Sequence, residues 1–188
     1  MASAVILAGG QSRRMRADKL QLPVHGVSML DRVIDVVGHI ADDVIVVGQD
    51  VPGVVSIPDQ KPGLGPLGGL VTGLQAARDS VALVVAADLP FLNVDVLRFL
   101  LAALSDYDAA VPRVGGRVQP LHAVYRTTVD VPAARLLATG ERRLGGLLEK
   151  LRVRWIEAPE IAHVDPALRS FVNINTREEW LEAQRSMA

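Results

Sequence analysis

The sequence predicts an α/β fold, a three-layer Rossmann-like arrangement around a mostly parallel central sheet. Two observations carry this expectation. Short β-branched runs alternate with longer stretches of helical periodicity along the whole chain. The composition is 49% apolar but only 4% aromatic, and an interior rich in Val, Leu, Ala and Ile suits strands covered by helices on both faces. A length of 188 residues fits a single domain with a full-sized core. No repeat, linker or low-complexity segment divides it.

"SAVIL", residues 3–7, reads as the first strand. Ser28 then caps a helix with Leu30, Val33, Ile34 and Val37 on one face and Asp31 in its first turn. "DVIVVG" is a second strand and "GVVSIP" a short third. From Pro66 to Arg78 the pattern is helical, although Gly65, Gly68, Gly69 and Gly73 fall in or beside it. Each interior glycine weakens a helix by roughly 1 kcal/mol, so something other than helix stability must favour them. "VALVVAAD" is the most hydrophobic strand and should be central. Asn93 caps the next helix, whose Leu97, Leu100, Leu101 and Leu104 form a stripe. "AAVPRVGGRVQPLHAVY" reads as a strand, a Gly-Gly turn and a second strand. Two helical patterns, broken near Gly140, lead to the strand "VRWIEA". Thr176 and Glu179 make a capping box for a C-terminal helix, and Trp155 and Trp180 read as core or edge packing.

Charge and composition remove several function classes. A formal net charge of -1 argues against nonspecific nucleic-acid binding, which needs a basic face. No apolar run approaches the roughly 18 residues of a membrane span. The first residues lack the charged start of a signal peptide, so a cytoplasmic location is expected. With no cysteine in the sequence, thiolate catalysis, disulfides and Cys-zinc sites are excluded.

The stretch "LAGGQSRRMRADK", residues 7–19, concentrates chemistry. It leaves the first strand at its carboxyl end, where open α/β sheets bind ligands. Gly9 and Gly10 let the backbone approach a ligand closely, and successive N–H groups there can bind anionic oxygens. Arg13, Arg14, Arg16 and Lys19 follow, opposed only by Asp18. Such a cluster in a near-neutral chain points to phosphate, with Arg13 acting as a fork and Lys19 as a point charge. It is not a P-loop, because no G-x-x-x-x-G-K-[ST] occurs. Gly63, Gly65 and Gly68 match G-x-G-x-x-G, but Pro62 and Pro66 interrupt the match and it does not begin at a strand end.

Asp88 ends the central strand, before Leu89-Pro90. It is either a crevice carboxylate able to share a magnesium ion with phosphates or a turn residue of the Asp-x-Pro kind. Asp59 beside Pro58 admits the same turn reading, and Asp18 could simply orient Lys19 or Arg13. In "NINT", Asn173 and Asn175 offer donors and acceptors, although Asn175 and Thr176 also suit a helix cap. Arg142 and Arg143 of "GERRL" either face an anion or form a solvated face. His122 reads as a strand histidine rather than a catalytic base.

Taken together, these segments resemble a family. "LAGGQSRRMRADK" resembles the signature LAGGxSxRMGxDK of the molybdenum cofactor guanylyltransferases, the MobA-like nucleotidyltransferases. "PDQKPGLGPLGGL", "AADLPFL", "QPLHAVY", "GERRL" and "FVNINT" follow in order, so the likeness runs from residue 5 to about residue 180. The first motif alone indicates the broad nucleotidyltransferase superfamily, whereas the set is specific to the molybdopterin-modifying branch. The resemblance implies a nucleotidyltransferase fold, nucleotide-binding in its N-terminal part and acceptor-binding in its C-terminal part. It implies transfer of GMP from GTP to molybdopterin or the molybdenum cofactor, with release of pyrophosphate.

By the same resemblance, Gly9-Gly10 marks the guanine branch, since cytidylyltransferase relatives carry Ala-Gly. Leu7, Ala8, Gly9, Gly10, Lys19, Asp59, Gly65, Pro66, Leu67, Gly68 and Asp88 would contact the nucleotide. Arg13, Lys19 and Asp88 would be catalytic, and Asp88 would hold Mg2+. His122, Arg142, Arg143, Asn173 and Asn175 would lie on the acceptor side. Molybdopterin-delivering proteins and recipient molybdoenzymes are the implied partners. Arg16 departs from the family's glycine, at a cost of about 1–2 kcal/mol if that position is left-handed. Val47 stands where some relatives carry Asn. The competing readings are a cytidylyl- or sugar-phosphate nucleotidyltransferase, and a nucleotide-binding regulatory module without catalysis.

Overall fold

The computed structural model describes residues 1–9, 20, 22–58 and 63–185. Its main sheet has the order β5-β4-β1-β6-β9-β7-β10, with β8 paired to β7. These strands are β1 (Ser3–Leu7), β4 (Val44–Val47), β5 (Val55–Ile57), β6 (Val81–Ala86), β7 (Ala109–Val114), β8 (Arg117–Val118), β9 (His122–Arg126) and β10 (Val153–Glu157). The hydrophobic strand β6 lies at the centre, parallel to β1, while β1–β4, β4–β5 and β7–β10 are parallel too. β9 runs antiparallel to both β6 and β7.

The alternation of side chains along each strand builds two core layers. Ala4 and Ile6 of β1, with Leu83 and Val85 of β6, face helices α1 (Met29–Gly38) and α3 (Val94–Ala103). Val5 and Leu7, with Ala82 and Val84, face α2 (Gly65–Ala76), α4 (Asp130–Ala138) and α5 (Leu144–Leu148). Helices on both faces of a largely parallel sheet are the expected three layers. The caps are where the sequence placed them: Ser28 Oγ accepts from Asp31 N–H at 3.0 Å, and Asn93 Oδ1 from Asp95 N–H at 2.8 Å. Helix α7 (Arg177–Arg185) opens on the reciprocal Thr176–Glu179 pair, at 2.9 and 3.2 Å. Trp180 bonds the Pro23 carbonyl at 2.9 Å, and Arg113 stacks on Trp155 at 3.9 Å.

The hairpin expectation needs refinement. The Gly115-Gly116 turn joins β7 to the short β8, and the chain then returns as β9 between β7 and β6. His122 to Tyr125 are all buried, and a strand with that burial needs a hydrogen-bonded neighbour on each side. The sequence also left unread the hairpin β2 (Pro23–Val24) and β3 (Val27–Ser28) and the single-turn α6 (Ala158–Ile161). Segments of two to four residues carry no measurable period. Among the described residues, no helix is long and apolar enough to cross a membrane.

Candidate active site

The carboxyl ends of β1, β4 and β6 share one edge of the sheet, the edge at which open α/β sheets bind ligands in a crevice. Ala8 N–H donates to the Val47 carbonyl at 2.8 Å and Ala87 N–H to the Leu7 carbonyl at 3.1 Å, so the parallel ladder continues to the crevice rim. Leu7 and Ala8 are buried, while Gly9 is exposed. Gly48, just beyond β4, has φ +99°, and a Cβ there would sit 2.7 Å from both the N and Cα of Gly9. Gly9 therefore rests directly on Gly48, a residue that belongs to none of the motifs. Its signal was a glycine immediately after "VIVV". Val47 is 2% exposed and packs in the apolar layer with Leu7, so this position presents no side chain to the crevice. Gly10, Arg13, Arg16, Lys19 and Asp59 lie outside the described residues.

Asp88 emerges two residues past β6, half-buried. The amide of Asn173 donates to its Oδ1 at 3.4 Å, and Ile174 N–H donates to its carbonyl at 3.1 Å. The two halves of the chain thus meet at this carboxylate. Asn175 is exposed, and its main-chain N–H joins that of Thr176 on the Glu179 carboxylate, at 2.6 and 2.9 Å. Capping and an acceptor-side role use different atoms of Asn175, so the two are compatible. The Asp88 carboxylate, which faces the NH2 of Asn173, is a hard oxygen donor of the kind that Mg2+ combines with phosphate oxygens and waters. Among the described residues, no group of three or more His, Asp or Glu gathers as a metal cage.

His122, expected on the acceptor side, is a core residue. It is 1% exposed, stacks on Phe171 with ring centroids 4.3 Å apart, and faces Ser170 Oγ across 3.4 Å. Burial drives its pKa down to about 3, opposed by a hydrogen bond to the main chain of Ser170. The imidazole is neutral at working pH and has no exposed edge for an acceptor. It bears on the site only through the segment of Ser170 and Phe171 that leads to Asn173.

The glycines of α2 have a packing explanation. A Cβ on Gly73 would lie 2.2 Å from Val5 Cγ1, and one on Gly69 would lie 3.2 Å from Leu7 Cδ2. The helix lies so close to β1 that only hydrogen fits there, and this sets the position of Gly65, Pro66, Leu67 and Gly68 at the crevice edge. Leu67 is fully buried, and its N–H donates to the carbonyl of Arg142 at 3.3 Å. Arg142 does not present its guanidinium to the crevice. Nη1 turns back to the Leu137 carbonyl at 3.0 Å, at the end of α4. Arg143 is exposed, with Nε 3.4 Å from Glu141 Oε1.

Two further hollows, of about 230 and 400 Å3, lie at the opposite edge, where Met1 and Ala2 precede β1 and Val81 begins β6. In the lining of the smaller one, Arg78 pairs with Asp43 at 3.7 Å. The described residues expected at the site gather at the other edge instead. That edge combines backbone for a flat or anionic group, a carboxylate at a strand end and asparagines from the C-terminal third.

The chain and its fold resemble known proteins. The model of the MobA-like NTP transferase domain matches residues 4–155. The "Probable molybdenum cofactor guanylyltransferase" of Chloroflexus aggregans is 37% identical over 95% of this chain and 91% of its own. The molybdenum cofactor guanylyltransferase of Desulfosudis oleivorans is 35% identical over 98% and 95%. The crystal structure of molybdopterin-guanine dinucleotide biosynthesis protein A from Archaeoglobus fulgidus superposes with a TM-score of 0.84 over 97% and 96% of the two chains, at 24% identity. By sequence and by fold, this chain belongs to the MobA-like NTP transferase domain family.

Proposed function

We propose that this protein transfers GMP from GTP to the terminal phosphate of molybdopterin or the molybdenum cofactor, forming a guanine dinucleotide cofactor. The observation that carries the reading is the meeting of Asp88 with Asn173 beside the Gly9 turn. It joins the nucleotide-side and acceptor-side motifs at one carboxylate. An oxygen of the acceptor phosphate attacks the α-phosphorus of GTP in line. The bond from that phosphorus to the bridging oxygen of the β-phosphate breaks, and pyrophosphate leaves. Such chemistry needs positioning and charge neutralisation rather than a covalent enzyme intermediate.

In this reading Leu7, Ala8, Gly9 and Gly10, together with the start of α2, frame the guanine. Asp59 meets the ribose or base side. Arg13 and Lys19 hold the β- and γ-phosphates and offset the charge of the leaving pyrophosphate. Arg143, Asn173 and Asn175 receive the acceptor. Asp88 would hold Mg2+, which supplies Lewis-acid neutralisation of the phosphate oxygens.

The test is magnesium-dependent pyrophosphate release from GTP and from CTP, each with and without molybdopterin. Release from GTP only when acceptor is present is the expected result. Release from CTP would move the protein to the cytidylyl branch. Binding without release from either nucleotide would favour a regulatory module, and release with a sugar phosphate would change the acceptor.

A further inference from the structure

The first turn of a helix has N–H groups without partners inside the helix, and at α2 the chain supplies one from far away in sequence. The N-cap residue Leu64 makes no side-chain cap, and Pro66 has no N–H. Leu67 N–H is taken by the carbonyl of Arg142 at 3.3 Å. The fit is close: Gly65 has φ +65°, and a Cβ there would sit 3.0 Å from that carbonyl oxygen and 3.2 Å from Arg142 Cβ. The turn that carries Arg142 is held by Arg142 Nη1 on the Leu137 carbonyl at 3.0 Å and by one carboxylate. Glu141 Oε1 accepts from the N–H of Arg142 at 2.8 Å, from the N–H of Arg143 at 2.9 Å and from Arg143 Nε at 3.4 Å. Those contacts, the Arg143 N–H first, hold its carboxyl below the usual range. Behind it, Glu141 N–H donates to Leu136 O at 3.3 Å, which anchors the turn to the end of α4.

We propose that Glu141 is a positioning residue: its carboxylate fastens the 141–143 turn so that the Arg142 carbonyl closes the start of α2 while the Arg143 guanidinium is held on the acceptor side. One side chain thereby couples the nucleotide-side helix to the acceptor-side motif. The coupling rests on the proposed function in two respects, that GTP lies against the start of α2 and that Arg143 faces the acceptor. Among the residues of "GERRL", the structure gives this part to the glutamate rather than to the arginines.

The experiment compares Glu141→Ala, Glu141→Gln and wild type in two readouts on the full chain. One is hydrogen exchange of the Leu67 amide. The other is KM for GTP and for molybdopterin, alongside kcat, in the pyrophosphate-release assay. Glu141→Ala is expected to speed Leu67 exchange at least about tenfold, equivalent to about 1.4 kcal/mol, and to raise both KM values severalfold with less effect on kcat. Glu141→Gln keeps an oxygen for the two main-chain N–H groups, so it should restore slow exchange and the GTP KM while the acceptor KM stays raised.

Unchanged Leu67 exchange in Glu141→Ala overturns the proposal. Unchanged KM values with faster exchange overturn the coupling to substrate and leave only a structural tie. Should Glu141→Ala fail to fold, Glu141→Gln alone decides: its acceptor KM must rise while its GTP KM does not, and equal values in both overturn the role. Absence of turnover from GTP in wild type would sink the functional reading, while Leu67 exchange would still judge the clamp.

Discussion

Gly48 and Gly9 meet where two parallel strands hand the chain to the crevice. A side chain on Gly48 faces two costs, the left-handed φ of +99° and the 2.7 Å approach to Gly9. Gly53 separates them, because its φ is +80° and nothing lies within 4 Å of its Cβ position. Gly53→Ala is expected to cost only the backbone term, about 1–2 kcal/mol, with GTP KM unchanged. Gly48→Ala should lower Tm further and raise GTP KM about fivefold or more, the kinetic equivalent of roughly 1 kcal/mol. Equal KM values in the two variants would show that the Gly9 turn does not depend on its neighbour. At the carboxylate, Asp88→Asn should lower kcat by about 10²–10³, the scale of losing one electrostatic group aimed at the reacting phosphates. Lys19→Ala should abolish turnover with Tm unmoved. Near-normal kcat in either variant would remove that residue from the chemistry.

At the scale of the element, α2 is a poor helix by propensity that sits correctly because it is thin. Replacing an exposed helix glycine by Ala gains about 1 kcal/mol. Gly73→Ala should instead cost about 1–3 kcal/mol by overpacking, since its Cβ would lie 2.2 Å from Val5 Cγ1. A shift of α2 off β1 would carry Leu67 and the crevice edge with it, so GTP KM should rise as well. Val5→Ala removes the methyl that is struck, and the double variant should be less destabilised than the two singles added together. Urea melts of all four proteins measure the coupling. Strict additivity would mean that the contact with Val5 is not the cause. The contrast with α3 is instructive. That helix rests its Leu97 and Leu100 in the opposite core layer on ordinary side-chain packing, and nothing in its sequence requires close approach to the sheet.

At the scale of the whole molecule, the buried histidine ties stability to pH. The folded chain holds His122 near pKa 3 against an ordinary value of 6.5. Between these two values the unfolded chain binds a proton that the folded chain refuses, so stability falls as pH falls, by at most about 1.4 kcal/mol per pH unit from this residue. Above 6.5 the contribution is flat. From pH 7 to pH 5 the unfolding free energy of wild type should drop about 2 kcal/mol more than that of His122→Phe. Identical pH slopes would show that the fold does not lower the pKa of the imidazole. The loss concerns the molecule rather than one element, because His122 joins β9 to Ser170 and Phe171 and so to the loop that meets Asp88.

What the sequence determined by itself was whatever is local or periodic. The alternation of strands and helices, the Ser28, Asn93 and Thr176 caps, the central place of β6 and the arrival of Leu7–Gly9 and Asp88 at strand ends all follow from spacing, polarity and turn chemistry between near neighbours. The ordered motifs were legible for the same reason, as short strings of fixed residue types. Only the tertiary structure decided what distant segments do to one another. It laid β9 between β6 and β7, since full burial of its residues demands two neighbours. It put His122 in the core, because an imidazole on an inward-facing position goes wherever the Ser170 segment packs. It explained Gly69 and Gly73 of α2 by the nearness of β1, and it turned Arg142 back toward α4 while Glu141 took hold of the turn. Those outcomes depend on steric contact and hydrogen bonds between residues far apart in the chain, and no local period records them.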